Sequence, residues 1–334
     1  MGRKRAVGIA PIDSFDTVLL DLDGVVYAGP NAIPGAVDAI NRATERVPVG
    51  FITNNASRTT EQVAGHLREL GLNVTAEQVV SSPQATVRLL AERVSQGARI
   101  LVVGGDGLRA VLSEVGYEVV ASATDSPAAV VQGFSPTLGW ADLAEAAYAL
   151  RGTAVPWIAT NMDWTIPQER GIAPGNGTLV SAVHTAAGRM PDAVAGKPHT
   201  PIFELARERF ASTRPLMVGD RLDTDIAGAR SAGMASALVL TGIDQAKQVL
   251  AAREHERPDM ILGGLDELFE PYPVPVERRG VWECGAARVR IEGIDVRIVA
   301  TGDAPLNLLR AACAAIWASP HAIHALRVPE KIYA

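Results

Sequence analysis

The chain has 334 residues, 48% of them hydrophobic and 20% charged, with 31 basic against 37 acidic side chains and a net charge of −6. That composition is globular and excludes a disordered or fibrous chain. The absence of a basic block excludes wholesale nucleic-acid binding, and the length asks for two or three domains rather than one core.

Strand-like apolar runs fall at Val18 to Leu20, Val49 to Thr53, Val79 to Ser81, Ile100 to Val103, Ala129 to Val131, Leu216 to Val218, Ala237 to Leu240 and Met260 to Leu262. Between them, Glu61 to Leu70, Ala141 to Leu150, Phe203 to Phe210 and Ile226 to Ala232 carry apolar residues at helical spacing. This alternation predicts an α/β fold with a largely parallel, Rossmann-like sheet. Pro271-Tyr272-Pro273-Val274-Pro275 reads as a stiff, extended linker. Beyond it, Ala287 to Ile291 and Ile294 to Ala300 alternate as strands and Pro305 to Trp317 reads as one helix. That tail, about 60 residues, is small for an independent domain and is expected to lean on the rest of the protein or on a second copy. No apolar run spans a bilayer, so membrane insertion is not expected. Lys4 and Arg5 have no apolar stretch behind them, which argues against a signal peptide. Cys284 and Cys313 are too few for a disulfide framework, so the cytoplasm is the expected compartment.

Three of the strand ends carry chemistry. The first run ends in Asp21-Leu22-Asp23-Gly24, the second in Thr53-Asn54-Asn55, and the run before Gly219 in Asp220 with Asp223 and Asp225 just beyond. Ligands in open parallel sheets bind beyond the carboxyl ends of the strands. Carboxylates at i and i+2 point the same way and repel unless a cation lies between them or one stays protonated. With Asp220 added, the set is a hard oxygen site suited to Mg²⁺. Lys197, between Gly196 and Pro198, and the hydroxyl and amides of Thr53, Asn54 and Asn55 supply donors for phosphate oxygens. One carboxylate can then attack phosphorus and the other can carry the proton of the leaving oxygen. Singly, each piece reads as ordinary: Asp-Gly as a turn, Asn-Asn as a loop, Lys before Pro as a surface residue. Their order, each after an apolar run, is what departs from chance.

The segments DLDGV, TNN, GKP and GDRLDTD resemble the four motifs of haloacid dehalogenase-type phosphatases, in the branch holding 4-nitrophenyl, pyridoxal phosphate, phosphoglycolate and glycerol 3-phosphate phosphatases. The resemblance covers roughly residues 14 to 270. It implies Asp21 as nucleophile and Asp23 as general acid/base, with Mg²⁺ held by Asp21, the Asp23 carbonyl and Asp220. It implies a phosphate grip by Thr53, Asn54, Asn55 and Lys197, and a supporting role for Asp225 toward a metal-bound water or Lys197. It also implies a core over 1–85 and 190–270, an inserted α/β cap over 86–189, and a tail over 271–334 outside the common pattern.

In the cap, Gly105-Asp106-Gly107 with Ala110 fits a dinucleotide fingerprint formally, yet no acidic residue follows at the ribose distance, so a tight strand-to-helix turn is expected. The resemblance makes Asn161, Asp163 and Ile166 a substrate-specificity loop. Ile166 stands where pyridoxal phosphate phosphatases tend to carry a His, which counts against that substrate. Trp157 and Trp164 read as cap packing before substrate stacking. Pro174-Gly175-Asn176-Gly177 reads as a turn before a helix from Thr178 to Ala187. For the tail, a truncated acetyltransferase-like unit stands beside docking or dimerisation through Trp282 and Trp317, and a homodimer through cap or tail is left open. The expected activity is Mg²⁺-dependent hydrolysis of a small phosphometabolite through an aspartyl-phosphate, with glycerol 3-phosphate first and phosphoglycolate next. The alternatives are a phosphotransferase or mutase with the same intermediate, and a regulatory binding protein with a vestigial site.

Overall fold

A computed structural model of the chain describes residues 8–168 and 170–333; Lys4 and Arg5 lie outside them. The chain divides into two compact units, one joining Met1–Val49 to Thr213–Ala334 and the other formed by Gly50–Ser212.

In the first unit, parallel strands run in the order Met260–Leu262, Ala235–Val239, Pro215–Gly219, Thr17–Leu20. Every residue of Thr17–Leu20 and of Pro215–Gly219 is buried. Parallel strands covered on both faces read as unbroken apolar runs, which is why these were visible in the sequence. Thr17 stands opposite Pro215 and Leu20 opposite Val218, and the Asp21 N–H extends the ladder to the Val218 carbonyl at 2.9 Å.

The tail belongs to this unit and is larger than two strands and a helix. Four antiparallel strands, Val276–Arg278, Val281–Cys284, Ala287–Glu292 and Asp295–Ala300, form a meander. The helix Pro305–Trp317 follows, with Pro305 at its first turn. The helix buries Leu308, Leu309, Ala312 and Ile316 in one apolar cluster with Leu238, Val249 and Ile261. The tail therefore completes its core with this chain's own sheet, and Trp282 and Trp317 are partly buried against that cluster.

In the second unit, Val49–Thr53, which starts at the boundary, pairs in parallel with Val79–Ser81. A five-stranded parallel sheet follows, ordered Ala193–Val194, Trp157–Ala159, Ala129–Gln132, Arg99–Val103, Glu118–Val120. Its cluster packs Leu101, Val103, Val130, Leu150 and Val180 around Trp157, which is fully buried, whereas Trp164 is 62% exposed. The helix Asp106–Glu114 follows Arg99–Val103 directly, with Gly105 as its N-cap. A Cβ on Gly107, the second residue of this helix, would come within 2.7 Å of the Arg58 backbone, so this glycine is required by close packing of main chain on main chain. The helix expected from Thr178 begins at Asn176, with Gly175 as N-cap, and ends at Ala187. A hairpin that the sequence did not announce, Thr165–Gln168 against Gly171–Pro174, carries Ile166 opposite Ala173.

Among the described residues, no helix is long and apolar enough to cross a membrane.

Candidate active site

In the first unit the acidic residues gather where two neighbouring strands end. Carboxylate oxygens of Asp21, Asp220 and Asp225 lie within 4.8 Å of one another. Asp21 exposes 9% of its surface, Asp220 1% and Asp225 none. Charges of one sign this close and this dry repel strongly unless a cation is shared or protons are retained.

Local geometry explains how three acids fit. A π-helical turn over Leu222–Ile226 swings Asp225 back toward its own strand end, and such turns recur at functional sites. The Arg221 N–H donates to Asp225 Oδ2 at 3.2 Å. Asp223 points elsewhere, into a bidentate pair with Arg221 at 3.0 and 2.8 Å. Asp220 Oδ2 accepts the Ile243 N–H at 2.7 Å. It sits in a cradle that only glycines allow: a Cβ on Gly24 would lie 2.2 Å from Asp220 Oδ2, and one on Gly242 2.0 Å from the same atom. Gly24 also has φ +79°, a left-handed conformation that side chains disfavour.

Asp23 is exposed, and its side chain is outside the acidic trio. The turn behind it closes through the Gly24 N–H to the Tyr27 carbonyl at 2.8 Å. Asp244 was not singled out in the sequence. Its carboxylate accepts the Leu222 N–H at 2.7 Å, while its own N–H donates to the Asp220 carbonyl at 3.1 Å. Burial pushes the Asp244 carboxyl upward, and the Asp223 and Asp225 charges add to this; the Leu222 hydrogen bond and Arg221 oppose it. The signal available was a fourth strand end: the run Ala235–Val239 also finishes in polar residues.

In the second unit, Thr53 is buried, Asn54 partly so and Asn55 exposed. The Asn55 N–H donates to Thr53 Oγ1 at 3.1 Å, and Asn55 Oδ1 accepts the N–H groups of Ser57 and Arg58 at 2.8 and 3.3 Å. This local turn fixes the loop that leaves the strand. Lys197, 4% exposed, belongs to the same unit. Asn54 Oδ1 accepts the Lys197 N–H at 2.8 Å, and Asn54 Nδ2 donates to the Lys197 carbonyl at 3.0 Å. A Cβ on Gly196 would lie 2.4 Å from Asn54 Oδ1, so the glycine of GKP is what permits this approach. The Lys197–Pro198 peptide is cis. His199 stands just before the helix Thr200–Arg209 without a side-chain capping hydrogen bond, and burial pushes its imidazole below the usual range.

The loop after Trp157–Ala159 meets the same loop. Asn54 Nδ2 donates to both carboxylate oxygens of Asp163 at 3.1 Å, and Asn161 Nδ2 donates to the Asn54 carbonyl at 2.9 Å. Ser82 Oγ donates to that carbonyl too, at 2.9 Å, and Asn176 Nδ2 holds the Asn161 carbonyl at 2.8 Å. Asn161 and Asp163 are thus brought to Asn54 and the Lys197 segment; Ile166, apolar and on the hairpin strand, takes no part in these hydrogen bonds. Ser82 and Asn176 were missed because each lies at a helix start, where polar residues usually serve only as caps.

Residues 18–118 match the family model of haloacid dehalogenase-like hydrolases, and residues 194–268 match a second model of HAD-hydrolase-like proteins. D-glycerol 3-phosphate phosphatase of Mycobacterium tuberculosis is 43% identical over 307 residues, spanning 90% of this chain and 86% of that protein. The crystal structure of a glycerol phosphate phosphatase from the same organism in complex with magnesium superposes with a TM-score of 0.85 at 40% identity, covering 96% of this chain and 94% of the other. A 4-nitrophenylphosphatase from Thermotoga maritima gives 0.72 at 32% identity, covering 78% of this chain and 98% of its own. The strand-end acids, the glycine cradle and these likenesses agree: the chain belongs to the haloacid dehalogenase-like hydrolases, as a phosphatase of that family.

Proposed function

We propose that this phosphatase hydrolyses glycerol 3-phosphate, with Mg²⁺ as cofactor and Asp21 as nucleophile. The observation that carries the chemistry is the trio of Asp21, Asp220 and Asp225, with carboxylate oxygens within 4.8 Å of one another. An all-oxygen, triply acidic donor set fits a hard divalent cation of the magnesium kind. Asp21, Asp220 and the Asp23 carbonyl would hold it, with Asp225 beside them. Once bound, magnesium neutralises charge on the carboxylates and on the phosphate oxygens.

The residues then divide the work. An Asp21 oxygen attacks phosphorus in line, the ester P–O bond breaks, and Asp23 gives its proton to the leaving alkoxide. Water next attacks the phosphorus of the aspartyl-phosphate and passes its proton to Asp23. Phosphate leaves, and both side chains return to their starting states. Exposure of Asp23 suits a group that must exchange protons with solvent and a leaving alcohol. The Thr53 to Asn55 loop and Lys197 take the phosphate oxygens, as donors and as a charge. The choice of glycerol 3-phosphate rests on the mycobacterial relative, whose likeness covers the tail as well as the sheets.

Phosphate release from glycerol 3-phosphate, phosphoglycolate and 4-nitrophenyl phosphate, with Mg²⁺ and after chelation, tests this. Glycerol 3-phosphate should give the highest kcat/KM, chelation should abolish turnover, and Asp21→Asn should lose on the order of 10⁴-fold. Activity retained in Asp21→Asn removes the nucleophile assignment. A higher kcat/KM for phosphoglycolate removes the substrate and leaves the chemistry. Faster phosphoryl transfer to an added alcohol than to water makes the protein a phosphotransferase instead.

A further inference from the structure

The side chain of Asn54 is fully spoken for. A carboxamide has two N–H donors and one carbonyl acceptor. Here Oδ1 takes the Lys197 N–H at 2.8 Å. One direction of Nδ2 serves the Lys197 carbonyl at 3.0 Å, and the other serves the Asp163 carboxylate at 3.1 Å to each oxygen. A single amide therefore pairs with both main-chain polar groups of one residue, as a strand partner would. That residue is Lys197, which is 4% exposed. A phosphate oxygen could reach the Asn54 amide only by displacing one of these bonds.

The clamp is anchored in turn. The Asn54 carbonyl accepts from Ser82 Oγ and Asn161 Nδ2, both at 2.9 Å. Asn161 Oδ1 accepts the Asp163 N–H at 3.1 Å. The loop after Trp157–Ala159, the loop after Val49–Thr53 and the Gly196–Pro198 segment are thus joined at one side chain.

We infer that the Asn54 side chain is a positioning group: it sets the main chain of Lys197, links that setting to Asp163 of the cap loop, and does not itself hold the phosphate, which leaves only main-chain donors of this residue for that task. The inference rests on the reading of Lys197 as the cation that takes the phosphate. Its consequence is that the cap loop influences turnover through the lysine, whatever it touches on the leaving group.

A double-mutant cycle tests it on the full chain with saturating Mg²⁺ and 4-nitrophenyl phosphate. Asn54→Ala should lower kcat/KM on the order of 10- to 100-fold, the scale of a misplaced catalytic group. The loss should divide between kcat and KM as it does in Lys197→Ala. In the Lys197→Ala background, Asn54→Ala should cost nothing further, because its route to the phosphate is gone. Asp163→Ala should be silent in that background as well, and Asp163→Asn, which keeps an acceptor for Nδ2, should recover most of the loss seen with Asp163→Ala alone. Far-UV circular dichroism and thermal melts confirm folding, and Asn54→Ser replaces Asn54→Ala in the cycle if the alanine variant does not fold. Additive losses for Asn54→Ala and Lys197→Ala would overturn the inference while leaving the lysine's role intact. Wild-type kcat/KM in Lys197→Ala would overturn that role, and the inference with it.

Discussion

The Ile261 carbonyl accepts two hydrogen bonds from Arg310, from Nε at 2.9 Å and Nη2 at 2.6 Å. The N–H of the same residue donates to Tyr272 Oη at 3.0 Å. Ile261 lies in Met260–Leu262, the last strand of its sheet, where outward-facing main-chain groups would otherwise invite another strand. Arg310 is 5% exposed, stacks over the Tyr272 ring at 4.7 Å and pairs with Glu267.

Arg310→Met should therefore cost stability out of proportion to its size. It leaves a buried carbonyl and the Glu267 carboxylate without their cation, and a loss of about 3 kcal/mol is expected. Urea unfolding measures it: the midpoint should fall with the slope unchanged. A midpoint equal to wild type would show that the pair is replaced by water at no cost.

The glycines around Asp220 bear on activity as well as on stability. Gly24→Ala and Gly242→Ala each place a methyl group where Asp220 Oδ2 now sits. Displacing that carboxylate by about 1 Å should cost on the order of 100-fold in kcat/KM. The Mg²⁺ concentration for half-maximal rate should rise in both variants. Unchanged Mg²⁺ dependence would dissociate the cradle from metal binding.

His199 gives a pH-dependent contribution to stability. Burial lowers its folded pKa below the ordinary 6.5, so as pH falls the unfolded chain takes up the proton first. The contribution is complete above about 6.5 and is lost as pH drops through the folded value. His199→Gln should flatten the decline of Tm in that window, and a decline parallel to wild type would show that other groups govern it.

The two thiols should be inert in the native protein. Burial pushes Cys284 up to about 11 and raises Cys313 further, which keeps both from forming the reactive thiolate. A disulfide reagent at pH 8 should read no thiol in buffer and two in urea. Since the folded pKa of Cys284 is the higher one, its contribution to stability is full below about pH 9 and is lost toward pH 11. Rapid native labelling would show that the apolar cluster around the tail opens.

How much was legible followed from what each signal depends on. The strand runs ending in Leu20, Thr53 and Ser81 were readable because fully buried parallel strands are apolar throughout. Val276–Arg278 was not, because all three of its residues are exposed and only pairing with Val281–Cys284 makes it a strand. The acids at Asp21, Asp220 and Asp225 were visible as strand-end chemistry, and the π turn that brings Asp225 to the others was not. Asp244 owes its place to a neighbouring strand end, and Asn54 owes its partners to residues 109 and 143 positions away. Spacing along the chain carries no trace of such distant contacts.

The division into Gly50–Ser212 and the two flanks that surround it also sets an order of events during synthesis. The inner unit is one contiguous stretch and is complete as it emerges. The strand Thr17–Leu20 must wait for Pro215–Gly219, about 200 residues later, or roughly 10–40 s at ordinary translation rates. For that interval the Thr-Val-Leu-Leu run lacks its Pro215–Gly219 partner, whereas a full-length chain diluted from denaturant has both flanks from the start. The nascent protein and the refolding protein thus begin the same sheet with different sets of strands in hand.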